Sequence, residues 1–344
     1  YFTKNREKIA EMVRFADRAD PESELSNLLE SGYTYQAGAL LFQTILNEAK
    51  PDAPPETDYA ALANECFAAA TDIFQKAHSA DPERIEPMTA LGYLSQMQQK
   101  YEEASGWFHK VLRIAPNSVD GYWNLAALHA EQEEFSKAAD WYTEALPHCP
   151  MFTRTLLVKA GEMCMAAGDC DKAKKYCLDS LKIDADFDFA LNTLHDLSDK
   201  LRNDGFNDKT GTKPALDVLR AIRDVKGESY EASFQNRAGN VHYYFAEYQQ
   251  AAEHYRRAIA ADARQALYHD NLTRTLDKLS DQPAPRPALV EALQEAKAAA
   301  NLEPSNESYR QQMNRIERKL ISMRHFGVLP DERSANISPL RVRF

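Results

Sequence analysis

Residues 85–150 read IEPMTALGYLSQMQQKYEEASGWFHKVLRIAPNSVDGYWNLAALHAEQEEFSKAADWYTEALPHCP. The stretch is one unit written twice. Leu91-Gly92, Tyr101, Ala104, Phe108, Leu112 and Pro116 return as Leu125-Ala126, Phe135, Ala138, Tyr142, Leu146 and Pro150, each 34 residues further on. Small residues at 92 and 126 in a first helix, and at 104 and 138 in a second, let two antiparallel helices approach closely. The aromatics fill the space beside them. Pro116 and Pro150 end the second helix, because a proline nitrogen has no hydrogen to continue the ladder.

A period of this length carrying a small residue, an aromatic, an Ala, a second aromatic and a closing Pro resembles the tetratricopeptide repeat. The resemblance implies an all-α fold, a right-handed α-solenoid of stacked antiparallel helix pairs whose first helices line a concave side. Composition agrees, with few Gly, many Ala, Leu, Glu and Lys, and no long β-branched runs. A prior of roughly 150 residues per domain suggests two globules. A repeat array overrides it, since each unit contacts only its neighbours.

Working outward, Lys4 to Arg18 reads as a helix with Ile9, Met12, Val13 and Ala16 on one face, and Asp20-Pro21-Glu22 starts a short second one through Leu29. Residues 1–30 are therefore expected to cap the array. A first helix from Tyr33 to Ala49, with Gly38 at the close-approach position, meets a partner from about Thr57 to Ala80 across the Pro51/Pro54/Pro55 turn. After the two clean repeats comes a third with one extra residue, where Gly161, Cys170, Ala173, Cys177 and Leu181 recur and Ala185 replaces the closing proline. Its Gly168-Asp169-Cys170 segment reads as the turn into the second helix. Asp188 to Arg202 is another first helix, and a polar loop from Asn203 to Lys213 precedes Pro214, expected at the first helical position. Gly239, Tyr248, Ala251, Tyr255 and Ile259 restore the pattern. The next unit runs from Ala266 through Leu279, crosses a turn holding Pro283, Pro285 and Pro287, and closes at Pro304. In all, residues 31–304 are expected to hold about seven helix pairs. Residues 305–326 would form a basic capping helix with Arg310, Arg315, Arg318, Lys319 and Arg324, and 327–344 an extended tail or linker.

The formal net charge of −11 argues against nucleic acid as a partner, because phosphate binding needs a basic face. No run of about 18 apolar residues exists, so no membrane-spanning helix is expected. The chain opens Tyr1-Phe2-Thr3-Lys4, without an initiator Met or an apolar signal segment, so its true start is expected to have been removed. Five cysteines, Cys66, Cys149, Cys164, Cys170 and Cys177, are too few and too irregular for a disulfide framework, which favours a reducing, cytoplasmic setting. Cys164, Cys170 and Cys177 lie close in sequence but lack a Cys-x-x-Cys pair. In repeat register they fall on packing positions, where a thiol behaves as a small hydrophobe.

Catalytic signatures are missing from the sequence. There is no His-Glu-x-x-His, no Gly-x-Ser-x-Gly and no phosphate loop, so neither enzyme activity nor a cofactor or metal is expected. Gly205 to Lys213 holds two glycines and a lysine at the wrong spacing. Asp184, Asp186 and Asp188 alternate as in a calcium loop, yet Phe189 stands where the sharp turn needs Gly. Charge at a helix N-terminus explains them more simply.

By register, the resemblance places Asn124, Lys159, Asn192, Asn236, Arg237, Asn240, Asn271 and Arg274 on the groove side of first helices. An amide both donates and accepts, so Asn can grip an extended backbone whatever its side chains. The competing reading is that these groups only hydrogen-bond between neighbouring helices. Some members of the family clamp a C-terminal carboxylate with Lys and Asn. Tested on the central repeats, the pattern gives Thr89, Tyr93, Asn124, Thr155 and Lys159, of which only Asn124 and Lys159 fit. Arg237, Asn240, Asn271 and Arg274 make a second, looser candidate for an acidic or carboxylate-bearing ligand. Tyr93, Met97, Trp123, Val158 and Met165 suggest an apolar strip bordered by Glu86, Asp120, Glu131 and Glu162, a setting for a partner with basic residues. Packing of Trp123 and Met165 between repeats is the alternative. The expectation is a non-catalytic adaptor that binds another protein or a peptide. The rival expectations are a regulatory or docking segment attached to further domains of a larger assembly, motivated by the start and the basic end (Arg333, Arg341, Arg343), and a peptide-sensing regulator.

Overall fold

The computed structural model describes residues 25–48, 59–281 and 286–325. It divides into two compact units, Tyr1–Ser180 and Leu181–Phe344. The first holds α1 (Leu25–Glu48), α2 (Tyr59–Ala80), α3 (Ile85–Met97), α4 (Tyr101–Ile114), α5 (Val119–Glu131), α6 (Phe135–Glu144), α7 (Thr153–Ala166) and most of α8 (Cys170–Ile183). The second holds α9 (Asp188–Asp204), α10 (Thr212–Lys226), α11 (Glu231–Tyr244), α12 (Tyr248–Ala261), α13 (Ala266–Leu279), α14 (Arg286–Leu302) and α15 (Glu307–His325). No strand occurs among the described residues, and the all-α expectation holds. Within each unit helices pack on their chain neighbours, and α3 also touches α5. None of the described helices is long and apolar enough to cross a membrane.

The small-against-aromatic pairing explains why the pairs close. A Cβ on Gly92 would lie 2.5 Å from the Phe108 ring, and one on Gly239 2.6 Å from Tyr255, so the first helix of each pair rests directly on the aromatic of the second. In the third copy Gly161 abuts Cys177 instead. The earliest pair corrects the sequence reading. Helix α1 begins at Leu25, so residues 25–30 belong to it rather than to a separate cap, and Gly32, not Gly38, sits over Phe74. The intervening turn is of irregular length, so counting from the clean repeats cannot carry the register across it.

The turns inside four of the pairs are equally regular. Gln99, Glu133, Gly168 and Ala246 all have φ between 58° and 84°. After each, a backbone N–H reaches back to the last helical turn: Lys100 to Ser95 at 2.8 Å, Glu134 to His129 at 2.9 Å, Asp169 to Cys164 at 2.8 Å, Glu247 to His242 at 2.9 Å. These are left-handed helix caps, and three of the four use a residue other than glycine. Two prolines differ from expectation. Pro214 is the third residue of α10, and Pro287 the second of α14 rather than part of the turn. Both still lie in a first turn, where the missing N–H costs no ladder bond. The expected N-terminal helix before residue 25 and the tail after 325 lie outside the described residues.

Cys66, Cys149, Cys164 and Cys177 are buried, and Cys170 is half-buried. Burial raises the Cys177 thiol to about 12. The described residues include no group of three or more His, Cys, Asp or Glu side chains suited to a metal ion. Asp186 pairs with Lys226 at 3.1 Å, and the Asp184 carboxylate accepts from the Asp186 N–H, so the acidic alternation caps local backbone.

Candidate binding surfaces

In the first unit, α3, α5 and α7 supply the expected surface. Tyr93 and Trp123 are half-buried. Met97 packs against the cluster containing Leu91 and Leu94. Trp123 meets Tyr142 edge-on, centroids 5.3 Å apart, while Lys159 Nζ lies 5.9 Å from the Trp123 ring centroid. Lys159 is held by Glu162 at 2.8 Å, so a carboxylate ligand would have to displace an internal one. Thr89 spends its hydroxyl on the carbonyl of Ile85. Asn124 is half-buried. Val158 is 2% exposed and so adds nothing to an accessible strip. Met165 is half-buried, and Gln96 Nε2 donates to the border residue Glu131 at 2.7 Å, tying α3 to α5.

In the second unit the predicted amides meet one another. Asn271 Nδ2 donates to Asn236 Oδ1 at 2.9 Å, bridging α13 to α11, and Asn236 is buried. The Tyr255 hydroxyl donates to Asn240 Oδ1 at 2.8 Å. Arg274 Nε pairs with the buried Asp270 at 2.8 Å. Burial pushes the Asp270 carboxyl up while Arg274 opposes the rise. Asn192 is exposed on α9. Arg237 lies near His195, whose ring burial, with a smaller contribution from that guanidinium, lowers its pKa to about 3.

Asn240, Asn271 and Arg274 share one cavity of about 260 Å³ with Arg202, Tyr243, Tyr244 and Tyr255. Arg202 comes from the last turn of α9, stacks on Tyr244 with its guanidinium 4.6 Å from the ring centroid, and pairs with Asp199 at 2.8 Å. Sequence register missed it because α9, at 17 residues, outruns the 13 or 14 of most first helices. The extra turn before Gly205 was the available signal. Arg202 also donates from Nε and Nη2 to Asn203 Oδ1 at 3.4 Å. Both arginines are charge-paired internally, so a carboxylate here would have to share or displace Asp199 or Asp270. What the cavity offers freely is amide groups, leftover guanidinium N–H donors and phenol walls. That set suits a peptide backbone.

No protein-family model matches the chain, and no curated protein does. Solved structures do. YrrB, a TPR protein with an unusual peptide-binding site, aligns over 58% of this chain and 96% of its own, at 18% identity and TM-score 0.36. A tetratricopeptide repeat protein from Parabacteroides merdae aligns over 82% and 98%, at 13% identity and TM-score 0.37. A chain of the APC/C hetero-tetramer Cut9-Hcn1 aligns over 84% of this chain, which spans 55% of that one, at 17% identity and TM-score 0.34. By their own geometry, a 34-residue helix pair with a small residue seated on an aromatic, the repeats here are of the tetratricopeptide type.

Proposed function

We propose that the chain is a non-catalytic interaction scaffold that holds an extended peptide segment of another protein. The cavity in the second unit carries this reading. It gathers Arg202, Asn240, Asn271 and Arg274 from three first helices around an open, tyrosine-walled space. Being built on helices, the site needs little ordering on binding. Trp123, Asn124 and Lys159, with Tyr93 and Met97, form a separate contact surface in the first unit.

A photo-crosslinking residue in place of Tyr243, which lines the cavity, tests the proposal against one in place of Gln249, exposed on α12. The expected result is a crosslinked polypeptide from position 243 and none from 249. Crosslinks from 249 alone would overturn it.

A further inference from the structure

The polar groups around the cavity of the second unit are unevenly engaged. Most acceptors are taken from within. Asn240 Oδ1 receives the Tyr255 hydroxyl at 2.8 Å, and Asn236 Oδ1 receives Asn271 Nδ2 at 2.9 Å. The carboxylates beside the two guanidiniums are occupied as well, Asp199 by Arg202 and Asp270 by Arg274. The donors are largely open. Among the described residues the Asn240 amide hydrogens have no hydrogen-bond partner, and Asn271 Nδ2 has used one of its two. The Arg274 pair uses Nε, which leaves both terminal nitrogens. Asn271 Oδ1 and the phenol oxygens, which can serve either way, are what remains to accept.

Two ligand chemistries ask only for donors. One is an anion, which would have to share or displace Asp199 or Asp270. The other is a run of backbone carbonyls without N–H groups, which among natural peptides means proline. An ordinary backbone brings an N–H with each carbonyl, and enclosing that N–H without an acceptor is costly. The walls point the same way, since polyproline II segments dock on aromatic-lined grooves and enter them already extended and stiff. Both walls are braced, Tyr244 by the Arg202 guanidinium at 4.6 Å and Tyr243 by the Tyr248 ring at 5.4 Å. We propose that the cavity takes a proline-rich segment in the polyproline II conformation. Its carbonyls accept from Asn240, Asn271 and Arg274, and its rings lie on Tyr243 and Tyr244. The inference rests on the peptide-scaffold reading above and names the class of peptide.

Three blocked nonapeptides in one Gly/Ser frame carry Pro-Pro-Pro, Ala-Ala-Ala or three N-methylalanines at the centre. They are titrated against the full chain and followed by NMR through the side-chain amide signals of Asn240 and Asn271. The proline probe is expected to bind at least about tenfold tighter than the alanine probe. N-methylalanine, which lacks both the N–H and the ring, should fall between them. Asn240→Asp keeps an oxygen for Tyr255 and exchanges two donor hydrogens for a second acceptor. Read through Asn271, it should weaken the proline probe several-fold and leave the alanine probe unchanged or tighter. Tyr244→Ala, at a position 38% exposed, should bring the proline probe down to the N-methylalanine level. Alanine binding as tightly as proline, or a proline preference untouched by both variants, overturns the inference and leaves the scaffold reading standing. If no probe moves either amide signal the inference falls as well, and the crosslink from position 243 alone then decides the scaffold reading.

Discussion

The two units share a helix-pair plan and bury different chemistry inside it. The first buries only Ser31, Ser95, Gln96 and Ser180 among its described polar side chains. The second buries two histidines (His195, His269), two carboxylates (Asp270, Asp277) and an amide pair (Gln235, Asn236), besides hydroxyls. Each has been given a partner. Both His269 nitrogens are engaged, by Glu295 at 2.5 Å and the Ala263 carbonyl at 2.9 Å. Asp277 lies 2.6 Å from Arg315 and 2.8 Å from Lys319, which pins α15 to the end of α13. The first unit is therefore held chiefly by shape, the second by shape plus directional bonds. Shape tolerates polar exchange but not added volume. A satisfied polar network fixes one arrangement and suffers when a single member is removed.

Breaking the network should give the largest effect. Lys319→Met leaves the buried Asp277 with Arg315 alone and strips a bond from Asp281, also at 2.8 Å. A loss of about 3 kcal/mol is expected from urea unfolding. Lys159→Met, at the half-exposed pair with Glu162, should change stability by no more than about 1 kcal/mol. Equal losses would erase the contrast. Volume should act alike in both units: Gly92→Val and Gly239→Val each drive a side chain into an aromatic ring and should cost about 2 kcal/mol in the same assay.

Acid should separate the units again. His195, buried against Tyr230 with Nε2 2.6 Å from the hydroxyl, has its folded pKa lowered from 6.5 to about 3. The unfolded chain then binds more protons between those values, so stability is full above pH 6.5 and falls as pH drops toward 3. From pH 6.5 to 5 the loss is about 1.6 kcal/mol. It is read as faster amide exchange in α9 to α11 than in α3 to α6. Asp270, with its raised pKa, works in the opposite sense at lower pH. Burial lowers His254 on α12 to about 4 and adds a loss over the same range. His195→Gln is therefore the control and should roughly halve the pH 6.5 to 5 difference. Undiminished pH dependence in that variant would contradict the assignment. The smallest effect is a gain: Gln99→Gly and Ala246→Gly relieve a left-handed residue and should each stabilise by about 0.5–1 kcal/mol, seen as a higher midpoint.

Helix pairing was legible because Gly92, Phe108 and Pro116 recur with their counterparts at one spacing, and packing obeys spacing. Register failed at Gly38, where an irregular turn intervenes and only contact with Phe74 identifies Gly32. At the site, Asn240, Asn271 and Arg274 were readable because they sit on first helices. Whether an amide faces a ligand or another amide depends on side-chain geometry, so Asn236 and Asn271 bonding each other was beyond sequence. Arg202 was hidden in a longer helix, a feature that a repeat template treats as an interruption.

The central claim is that the polar chemistry of the second unit serves a ligand as well as the fold. Arg202→Gln tests it most directly, because the pair with Asp199 is partly exposed and its loss should cost no more than about 1 kcal/mol of stability. Binding of the polypeptide identified by crosslinking at position 243, added free to the uncrosslinked chain, is measured alongside unfolding. The account predicts binding weakened at least about tenfold with stability nearly unchanged. Unchanged binding, or binding lost only in step with stability, would contradict it.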